Sequence, residues 1–293
     1  MLKNKLFAST VSMLVAAFTF NLSYAEQSEP VSESSDDGEA EYALGEHYLS
    51  LRCSDNCREK GFELVASAAR KGLPSAEYRL GELYLYGTGT KIDNASAAMW
   101  MLKAAKHNDP NAQAIIGEMY SRGQGVRADS VESFKWFMEA AKNGNTVAQI
   151  HLADLYESGK GVEQSSTDAY QWYYEAATHG DDWAQFKLGV FLAQGKGTSK
   201  DEHQAVQWYE KAARAGNSYA MFELGGAYQR GVGVKQNQSM AIFFFGLASK
   251  HENHSAAEKF QQLDRDINNG LHNKIVLAIN RWELHEPFPE FQD

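Results

Sequence analysis

Cysteine and proline are scarce in this chain: 293 residues contain 2 Cys and 5 Pro. A disulfide-dense scaffold and a collagen-like or proline-rich chain are thereby excluded. Basic residues are outnumbered, 28 Lys and Arg against 38 Asp and Glu, for a formal charge of −10. Nucleic-acid binding draws on a basic stripe that neutralises phosphates, so no nucleic-acid partner is expected. No apolar run reaches the roughly 20 residues of a membrane-spanning helix. Catalytic signatures are missing too. There is no Gly-Lys-Ser/Thr phosphate loop, no His-Glu-x-x-His, and no Ser followed three residues later by Lys. What is present is 43% hydrophobic and 12% aromatic residues, enough to bury a sizeable core. At this length folding needs no metal or disulfide staple, and no metal or cofactor is expected.

The first 25 residues read as an address. Lys3 and Lys5 precede an apolar stretch from Leu6 to about Phe20, and Ser23-Tyr24-Ala25 places small residues at −3 and −1. This is the pattern of a secretory signal peptide cleaved between Ala25 and Glu26, leaving no stable membrane insertion. Ser9, Thr10, Ser12 and Thr19 break the run and argue against an anchor. Residues 26–38 are acidic and Ser-rich, with no large apolar residue except Val31, and are expected to be a disordered leader.

Beyond the leader one unit recurs. Leu44-Gly45, Leu80-Gly81, Ile116-Gly117, Leu152-Ala153, Leu188-Gly189 and Leu224-Gly225 follow one another every 36 residues. Gly-x-Gly loops keep the same step from Gly87/Gly89 to Gly231/Gly233. So do Ala-Ala pairs from Ala68/Ala69 and a bulky row: Leu64, Trp100, Trp136, Trp172, Trp208 and Phe244. Within a unit the apolar residues recur at three and four, so each unit is two helices, A and B. The Gly-x-Gly loop allows positive φ after helix A and a tight reversal into B. Helix B then stops at Gly72, Asn108, Gly144, Gly180 and Gly216, residue types that tolerate a left-handed cap. The Trp row is expected to fill the core between stacked pairs.

The segments AEYRLGELYLYGTGT from Ala76, AQIHLADLYESGKGV from Ala148 and AMFELGGAYQRGVGV from Ala220 make the chain similar to the Sel1-like repeat family, a branch of the tetratricopeptide-like solenoids. That resemblance implies an all-α fold, a right-handed α/α superhelix of antiparallel helix pairs. It implies six repeats over residues 39–254, a capping helix pair over 255–285 and a tail over 286–293. It also implies a secreted, periplasmic protein that binds other proteins without catalysis, and it places helix A on the concave wall. Some cysteine-rich relatives are linked to β-lactam or cell-wall hydrolysis. That alternative lacks its serine motif here and finds cysteines in one unit alone.

Cys53 and Cys57, four apart, occupy the first unit's loop where later units carry glycine. In an oxidising compartment they are expected to form a structural bridge that sets the turn; a redox pair is the rival reading. His251 and His254 are too few for a metal centre.

On a helical wheel of helix A, the positions two before and one and five after the Leu-Gly glycine lie opposite the apolar set and vary between units. They supply a candidate partner-binding groove of Glu46, Arg79, Glu82, Tyr86, Glu118, Arg122, His151 and Asp154. Glu46, Glu82, Glu118 and Asp154 would form an acidic column suited to a partner segment bearing basic residues, or simply a solvated face. The aromatic tail, with Phe288 and Phe291, is the second candidate contact. Nothing in the residues sets the oligomeric state.

Overall fold

A computed structural model describes residues 35–51, 55–265 and 269–291. The expected signal peptide (1–25) and most of the leader (26–38) lie outside these, as does Cys53. All regular structure among the described residues is helical, in fourteen helices with no strand. They are α1 (Ser35–Ser50), α2 (Asp55–Arg70), α3 (Pro74–Tyr86), α4 (Asn94–Lys106), α5 (Pro110–Arg122), α6 (Ser130–Lys142) and α7 (Thr146–Ser158), followed by α8 (Ser166–Thr178), α9 (Asp182–Gln194), α10 (Glu202–Arg214), α11 (Ser218–Arg230), α12 (Gln238–Lys250), α13 (His254–Asp264) and α14 (Asn269–Arg281). No described helix is long and apolar enough to cross a membrane. Helix α1 starts at Ser35, inside the stretch expected as leader. Lys71 fastens its first turns with ion pairs of 2.9 Å to Asp37 and 3.0 Å to Glu41.

Two compact units, 1–136 and 137–293, divide within α6. In the first, α1 packs on α2, α2 on α3, α3 on α4 and α4 on α5. In the second, α7 through α13 pack in sequence in the same way, and α14 returns onto α12.

Side-chain caps start ten of the fourteen helices. Asp93, Asp129, Ser165, Asp201 and Asn237 cap the B helices, and Asp109, Asn145, Asp181, Asn217 and Asn253 cap the A helices. Both rows keep the 36-residue step, so part of the acidic excess serves backbone N–H groups left unpaired by the helix. A third row, Gln113, Gln149 and Gln185, is buried and donates Nε2 to the Ala105, Ala141 and Ala177 carbonyls at 3.2 to 3.3 Å. It seals the last turn of the preceding B helix.

Two glycine roles set the stacking. Where the first loop glycine allows φ near +70°, the second meets the preceding repeat: a Cβ on Gly125 would overlap the Asn94 carbonyl at the start of α4. The glycine of each Leu-Gly pair faces the residue after the bulky row. A Cβ on Gly81 would lie 2.9 Å from Met101, one on Gly189 2.5 Å from Tyr209, and one on Gly225 2.8 Å from Phe245.

That contact corrects the core assignment. Trp100 and Phe244 of the bulky row are buried, but Trp136, Trp172 and Trp208 are only half-buried. The buried row is shifted by one residue: Val65, Met101, Phe137, Tyr173, Tyr209 and Phe245. An indole is large and amphipathic, so it spans the helix shoulder, and in two repeats a lysine three residues on covers it. Lys103 Nζ stands 3.9 Å above Trp100 and Lys211 Nζ 3.6 Å above Trp208.

Candidate functional site

The candidate positions all lie on A helices, and within each unit the structure gives them different fates. In the first unit the acids are not an open column. Arg79, from α3, donates Nε to Glu46 of α1 at 2.8 Å and Nη1 to Glu82 at 3.0 Å. Tyr78 donates its hydroxyl to the other Glu82 oxygen at 3.1 Å. Burial, and after it the Glu82 charge, holds the Tyr78 phenol well above its ordinary value. Glu118 pairs with Arg122 at 2.7 Å one turn on, in an exposed contact of small energetic weight. For Glu46 the physical reason is spacing: once repeats stack, the residue 33 positions later stands beside it, and there the sequence has placed Arg79. Tyr86 remains 67% exposed at the end of α3.

In the second unit His151 stacks on Phe137, ring centroids 4.8 Å apart. Asp154 accepts the hydroxyl of buried Tyr173. Tyr173 also reaches Glu157 at 3.1 Å, and Glu157 takes Lys187 and Lys196 at 2.7 Å each. Of the eight candidate residues, seven are thus tied into ion pairs, hydrogen bonds or ring stacks with the chain itself, and Tyr86 is the exception.

Features that the wheel passed over carry the open surface. Trp183 and Tyr219 are 39% and 57% exposed, 5.9 Å apart edge to face, with Phe186 within 5.8 Å of both. Val147, 58% exposed, is their counterpart one repeat earlier. The signal was available, since 147, 183 and 219 keep the step of 36. Glu223, Ala227 and Arg230 of α11 border a half-open cavity of about 260 Å³.

The tail is not a free ligand arm. Phe288 stacks on Trp282 at 5.4 Å and meets Phe244 edge-on at 4.8 Å, while Asn237 donates to the Phe291 carbonyl at 3.0 Å. Both phenylalanines are spent on the chain's own α12. Among the described residues no three His, Cys, Asp or Glu side chains are grouped to hold a metal ion. Cys57 lies in the first turn of α2, and its expected partner Cys53 is outside the described residues.

The model of the Sel1 repeat matches residues 38–73, 74–109, 110–145, 146–181, 184–217 and 218–253. This chain belongs to the Sel1 repeat family. Its six repeats share the fold of a protective antigen present in uropathogenic Escherichia coli strains, at 30% identity and a TM-score of 0.74 over 81% of this chain. The chain spans 52% of that protein's length. A Sel1 repeat protein from Oxalobacter formigenes is 26% identical with a TM-score of 0.70, covering 83% of this chain and 98% of its own. No curated protein matches the chain. The Sel1 repeats form a helical scaffold, and such a scaffold suits contact between proteins.

Proposed function

We propose that this Sel1 repeat protein is a non-catalytic adaptor of the cell envelope, exported with cleavage after Ala25 and binding partner proteins through the faces of its A helices. The observation that supports this is the contrast along α3, α5, α7, α9 and α11. The rows that pack one repeat on the next are held at a step of 36, while the outward positions vary between repeats and leave Tyr86, Trp183 and Tyr219 exposed. Exposed aromatics on a rigid frame are the residues that anchor protein interfaces. The acidic column contributes less than its charges suggest, because Arg79 and Arg122 already sit on it. In the oxidising envelope Cys53 and Cys57 bridge, replacing the glycine turn of the later loops.

Photocrosslinkers placed at Tyr86, Trp183 and Tyr219 test the reading in envelope extract. The expected result is one shared, defined set of proteins from these positions and none of that set from Tyr174, exposed on helix B of the fourth repeat. Capture from Tyr174 alone, or hydrolysis of a β-lactam by the purified protein, overturns it.

A further inference from the structure

The cavity beside α11 lies where the sixth repeat departs from the others. The position after the Leu-Gly glycine is Glu or Asp in four repeats and Val190 in the fifth, but Gly226 in the sixth. With no side chain there, the Arg230 guanidinium folds over the helix, its Nη1 3.0 Å from where a Cβ would stand. The space left is about 260 Å³, walled by Val206, Val232, Ala227 and the Tyr209 ring, with Glu223 and Arg230 at its polar side. Pockets that enclose a whole small molecule run to roughly 300–1,000 Å³. This one is the size of a single long side chain.

Glu223 is the acid that the chain leaves unanswered. Glu202, also at the cavity, pairs with Lys200 at 2.6 Å. Glu223 accepts no ion pair or hydrogen bond from the described residues, and the Tyr209 hydroxyl, whose residue lines the same cavity, has no partner among them either. Burial therefore pushes the Glu223 carboxyl up, with Arg230 only partly offsetting it from a distance. Neither the Glu223 oxygens nor the Tyr209 hydroxyl is sealed from the cavity, so a donor that enters from outside can reach both.

We propose that this cavity receives a lysine side chain of a partner protein, its methylene stem against Val206, Val232 and Ala227 and its ammonium between Glu223 and the Tyr209 hydroxyl. The fit is to lysine. A compact ammonium with three rotatable donors can serve a carboxylate and a hydroxyl at the polar side of the half-open cavity, whereas a planar guanidinium needs an open in-plane approach to a carboxylate. Arg230, folded onto Gly226, already fills the side from which a second guanidinium would approach. The inference rests on the adaptor reading and gives it one specific contact: a lysine in the bound segment at the sixth repeat.

The test is a titration of the isotope-labelled mature protein with Nα-acetyl-lysine methylamide, followed by NMR. The same titration is run with the arginine and norleucine analogues. The lysine probe is expected to shift the amides of Gly226, Ala227 and Val232, and to bind at least about tenfold more tightly than norleucine, the charge-free analogue of similar length. Glu223→Gln should lose that advantage while keeping the parent spectrum elsewhere. Ala193→Leu, which fills the cavity rim from α9, should weaken lysine and norleucine alike. Equal binding of lysine and norleucine, stronger binding of arginine, or shifts that persist in Glu223→Gln overturn the pocket. If the photocrosslinked partners are still captured in that case, the adaptor reading stands without it. Lysine binding at Glu223 with no partner captured leaves the pocket standing and defeats the adaptor.

Discussion

Gly189 in α9 faces the ring of Tyr209 in α10 so closely that a Cβ on the glycine would stand 2.5 Å from Cε1. The same contact joins Gly225 to Phe245. Adding a methyl group forces a buried ring to move, so Gly189→Ala and Gly225→Ala are each expected to cost about 1 to 3 kcal/mol. Gly226→Ala is the control in the same helix as Gly225. Its Cβ meets only the mobile end of Arg230, and alanine favours a helix over glycine by about 1 kcal/mol. Urea unfolding should therefore rank Gly226→Ala at or above the parent. Equal stability of all three variants would remove close glycine packing from the account of this fold.

A second comparison separates two neighbours in α6. Phe137 is 2% exposed, whereas Trp136 is half-buried. Phe137→Ala should cost about 3 to 5 kcal/mol through transfer and cavity formation. Trp136→Ala, removing surface that water already reaches in part, should cost about 1 to 2 kcal/mol. Thermal denaturation that ranks Trp136→Ala as the worse lesion would return the tryptophan row to the core.

This pair also shows how far the fold was legible. The repeat length, the helix pairs and the loop glycines follow from residues whose conformational demands are absolute, since few other residues tolerate the left-handed φ of Gly125. Depth is different. Adjacent helical residues sit 100° apart, so Trp136 and Phe137 both fall near the apolar arc, and bulk pointed to the wrong one. The buried row did keep the 36-residue step and was there to be read. Charge pairing was harder: Arg79 meets Glu46 only after stacking has set which side chains share a height, and a single-helix wheel holds no such information.

Two glutamates should respond to pH with opposite signs. Burial pushes the Glu157 carboxyl up, but hydrogen bonds from Lys187, Lys196 and Tyr173 outweigh it and leave it below its ordinary value. A depressed folded value contributes stability above the unfolded carboxylate range and loses it as pH falls through the folded value. Glu157→Gln is thus expected to be less stable than the parent at pH 7, the gap closing on acidification. For Glu223, burial raises the folded value and Arg230 offsets only part of the rise. Its contribution is present below the unfolded carboxylate value and is lost as pH rises through the folded one. Glu223→Gln should then be more stable than the parent at pH 7, again converging in acid. Urea midpoints measured from pH 3 to 8 give both curves, and a shared sign for the two variants would contradict the assigned environments.

The last prediction concerns the tail. His285 donates its backbone N–H to the Arg214 carbonyl at 2.8 Å, Arg214 stands 5.1 Å over the Phe288 ring, and Phe288 lies on Trp282 and Phe244. Beyond His285 the chain has no helix, so its attachment depends on these rings and on the Asn237 bond to Phe291. Phe288→Ala removes the central ring, which is partly buried, and should cost about 1 to 3 kcal/mol. It should also free the segment that follows, because so short an extended stretch cannot hold itself. Glu290→Gln, at an exposed position of the same tail, should change neither stability nor protection. Limited proteolysis reads the difference: rapid trimming at the C-terminus of Phe288→Ala, slow trimming of the parent and of Glu290→Gln. Equal protection in all three proteins would mean that Phe288 does not anchor the tail, and its contact with Trp282 would then carry no weight in closing the sixth repeat.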